Sequence, residues 1–243
     1  MRASASTPRA EQSGSLTSHK PIYALADSLP LFLGRSDGSS LLDEIARNTG
    51  VQRPTIAYVG ASNRDSLEAY HLLFEPGIET AGFGEHRMIL SRPAQDDAKF
   101  LERAEIILLA GGDVHTGWRV FEENGLRELI PRRFREGVLL MGVSAGAVQL
   151  GCGTLSEGGY SILATFGLLP LYVGVHGEQE NWSSLRRIAG LCGERSHAIG
   201  IPRSSGIRYE NGELEILRGS VFELLTEGGQ YRESTIFPET SSL

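Results

Sequence analysis

The segment VLLMGVSAGAVQLG, residues 138–151, decides the fold of this chain. Residues 138–141 (VLLM) are uniformly apolar, which is the pattern of a strand that is buried on both faces of a sheet. The next five residues, 142–146 (GVSAG), fit the pattern G-x-S-x-G, and residues 147–150 can begin a helix. A strand, a sharp turn that carries a serine and a helix together predict a nucleophile elbow, with Ser144 exposed at the carboxyl end of the strand.

Ser144 is therefore the predicted nucleophile. Gly146 has no side chain that would collide with the neighbouring backbone, so the chain can turn sharply at this point. The amino terminus of the following helix offers unpaired N–H groups to a developing oxyanion. The alternative interpretation of the same segment is a plain strand-to-helix turn that is rich in small residues.

The composition is that of an ordinary globular domain. The chain has 243 residues, 40% hydrophobic and 22% charged, which is enough for one α/β domain with a sizeable core. A net charge of -7 argues against a general nucleic-acid or anionic-membrane binder. Cys152 and Cys192 are too few for a disulfide framework or a zinc site, and no apolar run approaches the length of a transmembrane helix. We therefore expect a cytoplasmic protein without a nucleic-acid or membrane partner.

Short apolar strands alternate with helical patterns over most of the chain. Residues 55–60 (TIAYVG) and 105–110 (EIILLA) have the pattern of buried strands, and each is followed by a loop of small residues. This alternation predicts an α/β fold with a mostly parallel sheet and helices on both of its faces. Near the end of the chain, Asn211 and Gly212 indicate a tight turn between antiparallel strands, so a hairpin is expected at one edge of the sheet.

The start of the chain is predicted to differ from the rest. Residues 1–20 are rich in Ser, Ala and Thr and contain no apolar segment, which predicts a disordered tail rather than a secretory signal. Residues 21–25 and 29–33 have the pattern of short strands. We find no internal repeat or linker, so residues 21–243 are predicted to form a single domain.

A serine hydroxyl is a poor nucleophile at neutral pH and needs a neighbouring base. His176 directly follows the apolar strand LYVGV, so it lies on the same rim as Ser144 if both strands are parallel. We expect His176 to be the general base, with a capping or hydrogen-bonded structural histidine as the alternative interpretation. His115, in GGDVHTG, is the second candidate.

The loop Gly111-Gly112-Asp113 follows another predicted strand. Paired glycines allow backbone N–H groups to approach a substrate oxygen without interference from a Cβ atom. We assign the Gly112 N–H, together with the Ala145 N–H, to an oxyanion hole. Asp113 is a candidate for substrate binding, and it is equally well placed to cap the following helix.

A third group should orient the imidazole of the base. The candidates are Glu157, Glu178 and Glu180. Glu178 is too close in sequence to His176 to be an easy partner. Glu157, in the loop after the elbow helix, is therefore the predicted third member, and a solvated loop glutamate is the alternative.

Together these motifs resemble the serine peptidases that include dipeptidase E and cyanophycinase. Residues 110–147 are similar to that family's glycine-rich loop, helix and elbow, and residues 167–176 (GLLPLYVGVH) to the segment that leads to its catalytic histidine. Residues 199–219 resemble its closing hairpin. The resemblance covers roughly residues 29–225 and implies a flavodoxin-like sheet, as in class I glutamine amidotransferases, with serine in place of their cysteine.

The resemblance also implies roles for individual residues. It implies Ser144 as nucleophile, His176 as base and the Gly112 and Ala145 amides as oxyanion donors. The family's acidic member falls in the loop after the elbow helix, where Glu157 is the nearest carboxylate, although that loop is shortened in this chain. The chemistry needs no cofactor or metal, and the expected partner is a small peptide, with a homodimer as one alternative for the assembly.

The expected substrate follows from the arginines. Arg203 occupies a position where members of the family usually carry an acidic residue, and Arg186 is a further candidate. A guanidinium suits a carboxylate better than a basic group, so small acidic peptides are favoured over arginine-rich polymers. The sequence therefore predicts an exopeptidase that acts at Asp or a related acidic residue through an acyl-enzyme. Exposed charges without a role in binding are the alternative interpretation.

Other functions remain open at this point. An amine in place of water as acyl acceptor would make the protein an acyl transferase, a peptide ligase or a tailoring enzyme. A chain that keeps the fold without turnover would be a binding module. An α/β-hydrolase esterase is disfavoured, because no HGGG-type loop precedes the elbow and His176 follows Ser144 by only 32 positions.

Overall fold

The computed structural model describes residues 19–34 and 38–238, so the predicted tail lies almost entirely outside the described residues. The strands, in chain order, are β1 Ile22–Leu25, β2 Ile56–Val59, β3 His86–Ile89, β4 Ile106–Leu109, β5 Leu139–Val143, β6 Gly153–Leu155, β7 Ile162–Ala164, β8 Tyr172–Val175, β9 Arg195–Ile201, β10 Gly206–Glu210, β11 Glu213–Arg218, β12 Val221–Glu227 and β13 Gln230–Ile236. The α-helices are α1 Leu29–Phe32, α2 Leu41–Thr49, α3 Glu75–Thr80, α4 Gln95–Arg103, α5 Val114–Glu123, α6 Leu126–Arg135, α7 Ala145–Leu150 and α8 Ser183–Cys192. The described residues also form a 3₁₀ turn, Ala61–Asn63, and a π-helical turn, Ala69–Phe74.

A seven-stranded sheet in the order β11-β10-β1-β5-β4-β2-β3 forms the centre of the fold. The strands from β1 to β3 in this order pair in parallel, whereas β10 and β11 add an antiparallel hairpin at one edge. This arrangement confirms the predicted α/β class with its mostly parallel sheet and its antiparallel hairpin.

Alternate residues of the central strands enter two separate hydrophobic clusters. In β1, Ile22 and Ala24 face the cluster that contains residues of α4 to α7, and Tyr23 and Leu25 face the cluster that contains residues of α1 to α3. The same alternation occurs in β4 and β5. Because side chains alternate between the faces of a strand, a strand buried on both faces must be apolar throughout. Helices therefore cover both faces of the sheet, as the sequence predicts.

The elbow follows β5, which lies between β1 and β4 in the middle of the sheet. Helix α7 is buried along its whole length. It lies directly on the sheet because two glycines allow the approach. A Cβ atom on Gly146 would lie 2.1 Å from the carbonyl oxygen of Leu109, and one on Gly142 would lie 2.5 Å from the Gly146 backbone. Neither position therefore accommodates a side chain without displacement of backbone.

A second sheet, in the order β13-β12-β9-β8, extends the fold beyond the central one. It carries His176 at the carboxyl end of β8, which pairs in parallel with β9. Ser144 and His176 therefore follow strands of different sheets, whereas the sequence interpretation placed both on one rim. A short hairpin of β6 and β7 forms a third, two-stranded sheet.

The strand predicted over residues 29–33 is wrong, because Leu29–Phe32 form a short helix. Pro30 lies in the first turn of this helix, where its missing N–H has no intrahelical acceptor to lose. Leu31 is buried in the core while Phe32 is partly exposed, so the apolar run covers a sheet face instead of joining a sheet. Over residues 19–34 and 38–238, no helix combines the length and the apolar character needed to cross a membrane.

Candidate active site

Ser144 lies at the turn between β5 and α7 with φ 51° and ψ -111°. A positive φ is uncommon for a residue with a side chain and is maintained only where the surroundings enforce it. The Ser144 N–H donates to the carbonyl of Leu25 at 2.8 Å, and the Ser144 carbonyl accepts from the Val148 N–H at 3.2 Å. The serine is therefore held in the sharp turn that a nucleophile elbow requires, and its side chain is half-buried.

The glycine loop after β4 borders this serine. A Cβ atom on Gly111 would lie 3.3 Å from the Ser144 Cβ and 4.0 Å from its Oγ. Gly112 has φ +128°, and a Cβ atom there would lie 2.1 Å from the carbonyl oxygen of Ser62. The conformation and the close approach both require glycine at this position.

The two predicted oxyanion donors keep their N–H groups available. Among the hydrogen bonds of the described residues, none is donated by the Gly112 N–H. Ala145 is the first residue of α7, so its N–H has no intrahelical acceptor. The oxyanion hole remains a prediction, and both donors lie in segments that adjoin Ser144.

A buried polar pair, Ser62 and Gln149, connects the loops around the elbow. The Gln149 amide nitrogen donates to the Ser62 hydroxyl at 3.0 Å and to the carbonyl of Val114 at 3.1 Å. The Ser62 carbonyl in turn accepts from the Asp113 N–H at 2.8 Å. The sequence analysis missed both residues. The available signal was a glutamine inside the otherwise apolar segment AVQLG.

His176 also has a positive φ, of 58°. Its ring nitrogen Nδ1 is buried, and no hydrogen-bond partner for it exists among the described residues. Its strand, β8, packs against the elbow helix α7. The Trp182 ring packs against the backbone next to His176, since Cβ atoms on Gly177 and Gly200 would lie 2.6 Å and 2.5 Å from it.

Backbone hydrogen bonds connect the carboxyl ends of the two sheets. The His176 N–H donates to Ile201 at the end of β9, at 3.3 Å. The loop after β9 then reaches the end of β1, because the Ala26 N–H donates to the Ser205 carbonyl at 3.0 Å. Leu25, the preceding residue, accepts the hydrogen bond from Ser144. This chain of contacts brings the segments that carry Ser144 and His176 to the same end of the molecule.

The three candidate glutamates lie in different environments. Glu157 lies between β6 and β7, is 68% exposed and forms an ion pair with Arg119 at 3.2 Å. Within the described part of the chain, no hydrogen bond joins Glu157 to His176. One carboxylate oxygen of Glu178 accepts from the Arg203 N–H at 3.2 Å, and the other is buried without a partner among the described residues. Glu180 is exposed.

The predicted carboxylate-binding arginines already lie near carboxylates of this chain. Arg203 is 73% exposed, and its Nε lies 4.0 Å from Glu178. Arg186 donates to the Asn181 carbonyl at 2.9 Å and to Glu233 at 3.0 Å. The structure therefore gives each guanidinium an internal partner, with the stronger pairing at Arg186.

Asp113 caps helix α5. Its carboxylate accepts a hydrogen bond from the Thr116 N–H at 2.7 Å, and this bond lowers the pKa of Asp113 below its ordinary value. His115, the second candidate base, lies in the first turn of the same helix. The capping role proposed for Asp113 is thus present in the structure, and its role in substrate binding stays a prediction.

Metal-ligand spacing occurs in one group of the described residues, formed by Glu75, Glu79 and His86. These residues lie on α3 and on β3, the edge strand of the central sheet, whereas the elbow follows β5 in its middle. The Nδ1 atom of His86 already shares a hydrogen bond with the Tyr70 hydroxyl at 2.7 Å. Among the described residues, no hydrogen bond or ion pair connects this group with Ser144.

A mostly parallel α/β sheet with a strained serine at a strand-to-helix turn and a glycine loop beside it defines a fold of the nucleophile-elbow class. The chain belongs to peptidase family S51, whose profile matches residues 31–217. This finding confirms the resemblance identified from the motifs. Membership of a peptidase family supports a serine-type peptidase.

Solved structures show the same fold. A peptidase from an acI-B1 Actinobacterium has a TM-score of 0.64 at 16% identity, over 90% of this chain and 97% of that chain. A putative peptidase E protein from Listeria monocytogenes EGD-e has a TM-score of 0.62 at 14% identity, over 83% of this chain and all of the other.

A curated relative matches only in part. The uncharacterized peptidase YgaJ of Bacillus subtilis (strain 168) is 25% identical over 113 residues, which are 46% of this chain and 49% of that relative. The chain therefore matches about half the length of this protein.

Proposed function

We propose that this chain is a serine peptidase that cleaves small peptides through an acyl-enzyme on Ser144. The observation that carries the proposal is the strained backbone of Ser144 at the end of β5, beside the glycine loop. Positive φ alone is not distinctive, since Ser204 in a loop turn also has φ 59°. The ψ of -111° places Ser144 outside the left-handed region that such turns use, and a strained turn of this kind is expected where a nucleophile projects from the sheet toward a substrate. Membership of peptidase family S51 supports the same chemistry.

In the proposed mechanism, the Ser144 hydroxyl attacks the scissile carbonyl while His176 takes its proton. The negative charge that develops on the carbonyl oxygen is stabilised by the Gly112 and Ala145 N–H groups. Collapse of the tetrahedral intermediate breaks the C–N bond, and His176 returns the proton to the leaving amine. A water molecule, activated by the same histidine, then attacks the acyl-enzyme and releases the acid product.

The third member of the proposed triad is Glu178 rather than Glu157. The imidazole needs an acceptor for its second N–H, which fixes the tautomer and stabilises the imidazolium. The Glu157 carboxylate is exposed and paired with Arg119. Glu178 is two residues from the histidine and offers a buried oxygen without a partner among the described residues, and the buried Nδ1 of His176 lacks a partner as well.

We propose that the Glu178 carboxylate pairs with the His176 Nδ1 in the active arrangement, which would give both unpartnered atoms a hydrogen bond. Each unsatisfied buried polar group costs about 1–3 kcal/mol, so the paired arrangement is favoured over the separated one. In this arrangement, the Arg203 N–H would keep its hydrogen bond to the other carboxylate oxygen and so hold Glu178 in place. In the sequence analysis, Glu178 is set aside because it lies only two residues from His176. The burial of its unpartnered carboxylate oxygen outweighs that argument.

The finer prediction, an exopeptidase that acts at Asp or a related acidic residue, rests on Arg203 and Arg186. Support for Arg186 is weakened by its hydrogen bonds to Asn181 and Glu233. Arg203 remains the better candidate, because it is largely exposed and only loosely associated with Glu178. Acidic dipeptides therefore belong in the first substrate panel.

The test combines active-site labelling with hydrolysis. The wild-type chain, Ser144→Ala and Ser161→Ala are treated with a fluorophosphonate probe, and the modified residue is mapped by mass spectrometry. Ser161 is an exposed serine outside the site and provides the matched control. The same proteins are incubated with Asp-Xaa, Glu-Xaa, β-aspartyl and neutral peptides, and free amino acids are followed.

We expect labelling at Ser144 and hydrolysis that Ser161→Ala retains and Ser144→Ala loses. Labelling together with a coupled product, when an amine is added, would assign acyl transfer instead of hydrolysis. A folded wild-type chain that neither labels at Ser144 nor cleaves any peptide would reject the peptidase and leave a binding module.

A further inference from the structure

A cavity of about 220 Å³ opens beside the elbow. Its lining includes Leu108 and Gly111 at the carboxyl end of β4 and Val143 at the end of β5. Aromatic side chains, among them Phe32 from α1 and Phe74 from the π-helical turn, complete its wall. The cavity therefore lies at the carboxyl ends of two central strands, which is the place where α/β sheets bind ligands.

The cavity adjoins the proposed nucleophile. Val143 directly precedes Ser144, and a Cβ atom on Gly111 would lie 3.3 Å from the Ser144 Cβ. In a peptide, a Cα atom that carries a side chain is about 1.5 Å from its carbonyl carbon. A peptide with its scissile carbonyl at the Ser144 hydroxyl thus brings a side chain next to this opening.

The cavity lining is mostly apolar, and the described residues that form it carry no charged side chain. Its polar groups include Tyr58 and Asn63, and these bind each other, since the Asn63 amide donates to the Tyr58 hydroxyl at 2.8 Å. Burial raises the pKa of Tyr58, so this phenol is neutral at physiological pH. None of the described residues around the cavity is a lysine, an arginine or a histidine.

We infer that this cavity binds an apolar side chain, leucine- or phenylalanine-like, of a substrate residue that flanks the scissile bond. The inference rests on the proposed peptidase function and names the substrate class. Apolar surface gains by leaving water for such a lining. A carboxylate would lose its hydration there without a cation to replace it. The cavity volume of about 220 Å³ equals the liquid volume of about seven waters at about 30 Å³ each, which is enough room for one large side chain.

This assignment departs from the preference that the arginines suggest. Arg203 and Arg186 do not line the cavity. If Arg203 contacts a substrate carboxylate, it does so outside the apolar space next to the serine. The residue that fills the cavity is therefore distinct from any acidic residue or terminal carboxylate that an arginine binds.

The test is a peptide matrix in which Ala, Leu, Phe or Asp is varied separately on each side of the scissile bond, with kcat/KM as the readout. On one side, we expect the wild-type chain to prefer Leu or Phe to Ala by about 10-fold or more, and to disfavour Asp by a similar factor. Fluorophosphonate labelling of the same preparation reports whether Ser144 is reactive.

Two substitutions at Ala69, a half-buried residue of the cavity wall, sharpen the test. Ala69→Leu fills the cavity and is expected to reduce the Phe-to-Ala preference about 10-fold. Ala69→Lys introduces a cation and is expected to shift the preference toward Asp, a gain that unfolding cannot imitate. Ala98→Leu, on the exposed face of α4, is the matched control and should keep the wild-type preference.

A wild-type chain that labels at Ser144 but cleaves Ala, Leu and Phe peptides equally on both sides would overturn the inference while the peptidase function stands. A preference for Asp on both sides would overturn it as well. A folded chain that does not label would remove the proposed function, and the inference with it.

Discussion

The two halves of the proposed catalytic site are built differently. Around Ser144, backbone does the positioning: Gly142 and Gly146 allow α7 to lie on the sheet, and the Leu25 carbonyl holds the serine N–H. Around His176, side chains remain to be arranged, because its Nδ1 and one oxygen of Glu178 lack partners among the described residues. The comparison teaches that the fold fixes the backbone of the proposed nucleophile, whereas the proposed base still needs a hydrogen-bond partner for its Nδ1.

The largest expected effect distinguishes Glu178 from Glu157 as the carboxylate that orients His176. Glu178→Gln removes the carboxylate proposed to orient His176 and should lower kcat by about 10⁴-fold, since the loss of this group in other triads has effects of this size. Glu157→Gln breaks an exposed ion pair with Arg119, which is worth little, and should leave kcat within about twofold.

The measurement is kcat against pH for both variants, with melting temperatures to show that they fold. A merely structural Glu178 would change stability and leave the shape of the pH profile intact. The opposite ranking, with Glu157→Gln as the inactive variant, would restore the assignment made from the sequence.

A smaller effect tests whether the first half is as well fixed as its packing indicates. Gln149→Leu keeps the bulk of a fully buried side chain but leaves Ser62 and the Val114 carbonyl without their amide donor. We expect a loss of about 1–3 kcal/mol in the free energy of unfolding, measured with urea. Gln95→Leu, at the exposed start of α4, is the control and should change stability by about 0.5 kcal/mol or less.

A second substitution shows whether the unpaired Ser62 hydroxyl causes the loss of stability in Gln149→Leu. In Ser62→Ala/Gln149→Leu the hydroxyl is removed together with its donor, so the double variant should be more stable than the sum of the two single changes predicts. Gln149→Leu with wild-type stability would show that the buried pair does not hold the loops around the elbow.

The smallest expected effect concerns the helix that follows the glycine loop. Asp113→Ala removes the bond to the Thr116 N–H and should cost about 1 kcal/mol of stability at pH 7. That bond lowers the pKa of Asp113, so its contribution is complete above the ordinary value of 3.8 and is lost as the pH falls through the lower folded-state pKa. The difference between wild type and Asp113→Ala should therefore shrink in acid.

Urea unfolding between pH 7 and pH 3 measures this difference. Asp113→Asn, which keeps an oxygen acceptor without the titration, is the matched control. A constant difference between wild type and Asp113→Ala across this range would show that the charge of the cap does not contribute.

The sequence predicts the first half of the site much better than the second. The apolar run 138–141 and the glycines around Ser144 are local features, and a buried strand followed by a sharp turn has few other interpretations. The family match over residues 31–217 and the parallel sheet confirm the predicted family and fold. The specific roles assigned to site residues remain proposals.

What the sequence did not predict depends on contacts between distant segments. Nothing near β8 indicates that it pairs with β9 in a separate sheet. The partner of Glu157 comes from α5, 38 residues earlier, and that of Arg186 from β13, 47 residues later. Charges on loops and helices are common, and only the folded chain shows which of them neutralise one another.

The hydrogen bonds between the two sheets make the proposed contact of Ser144 with His176 depend on the length of the loop that follows β9. Residues 202–205 connect β10 to the end of β9, which accepts the His176 N–H. Their last residue, Ser205, is hydrogen-bonded to the residue after β1, and the end of β1 accepts the Ser144 N–H. One residue inserted there would displace these strand ends by up to about 3.4 Å, more than a serine–histidine hydrogen bond tolerates. The length of a loop that contains no catalytic group thus determines whether the proposed nucleophile and base meet.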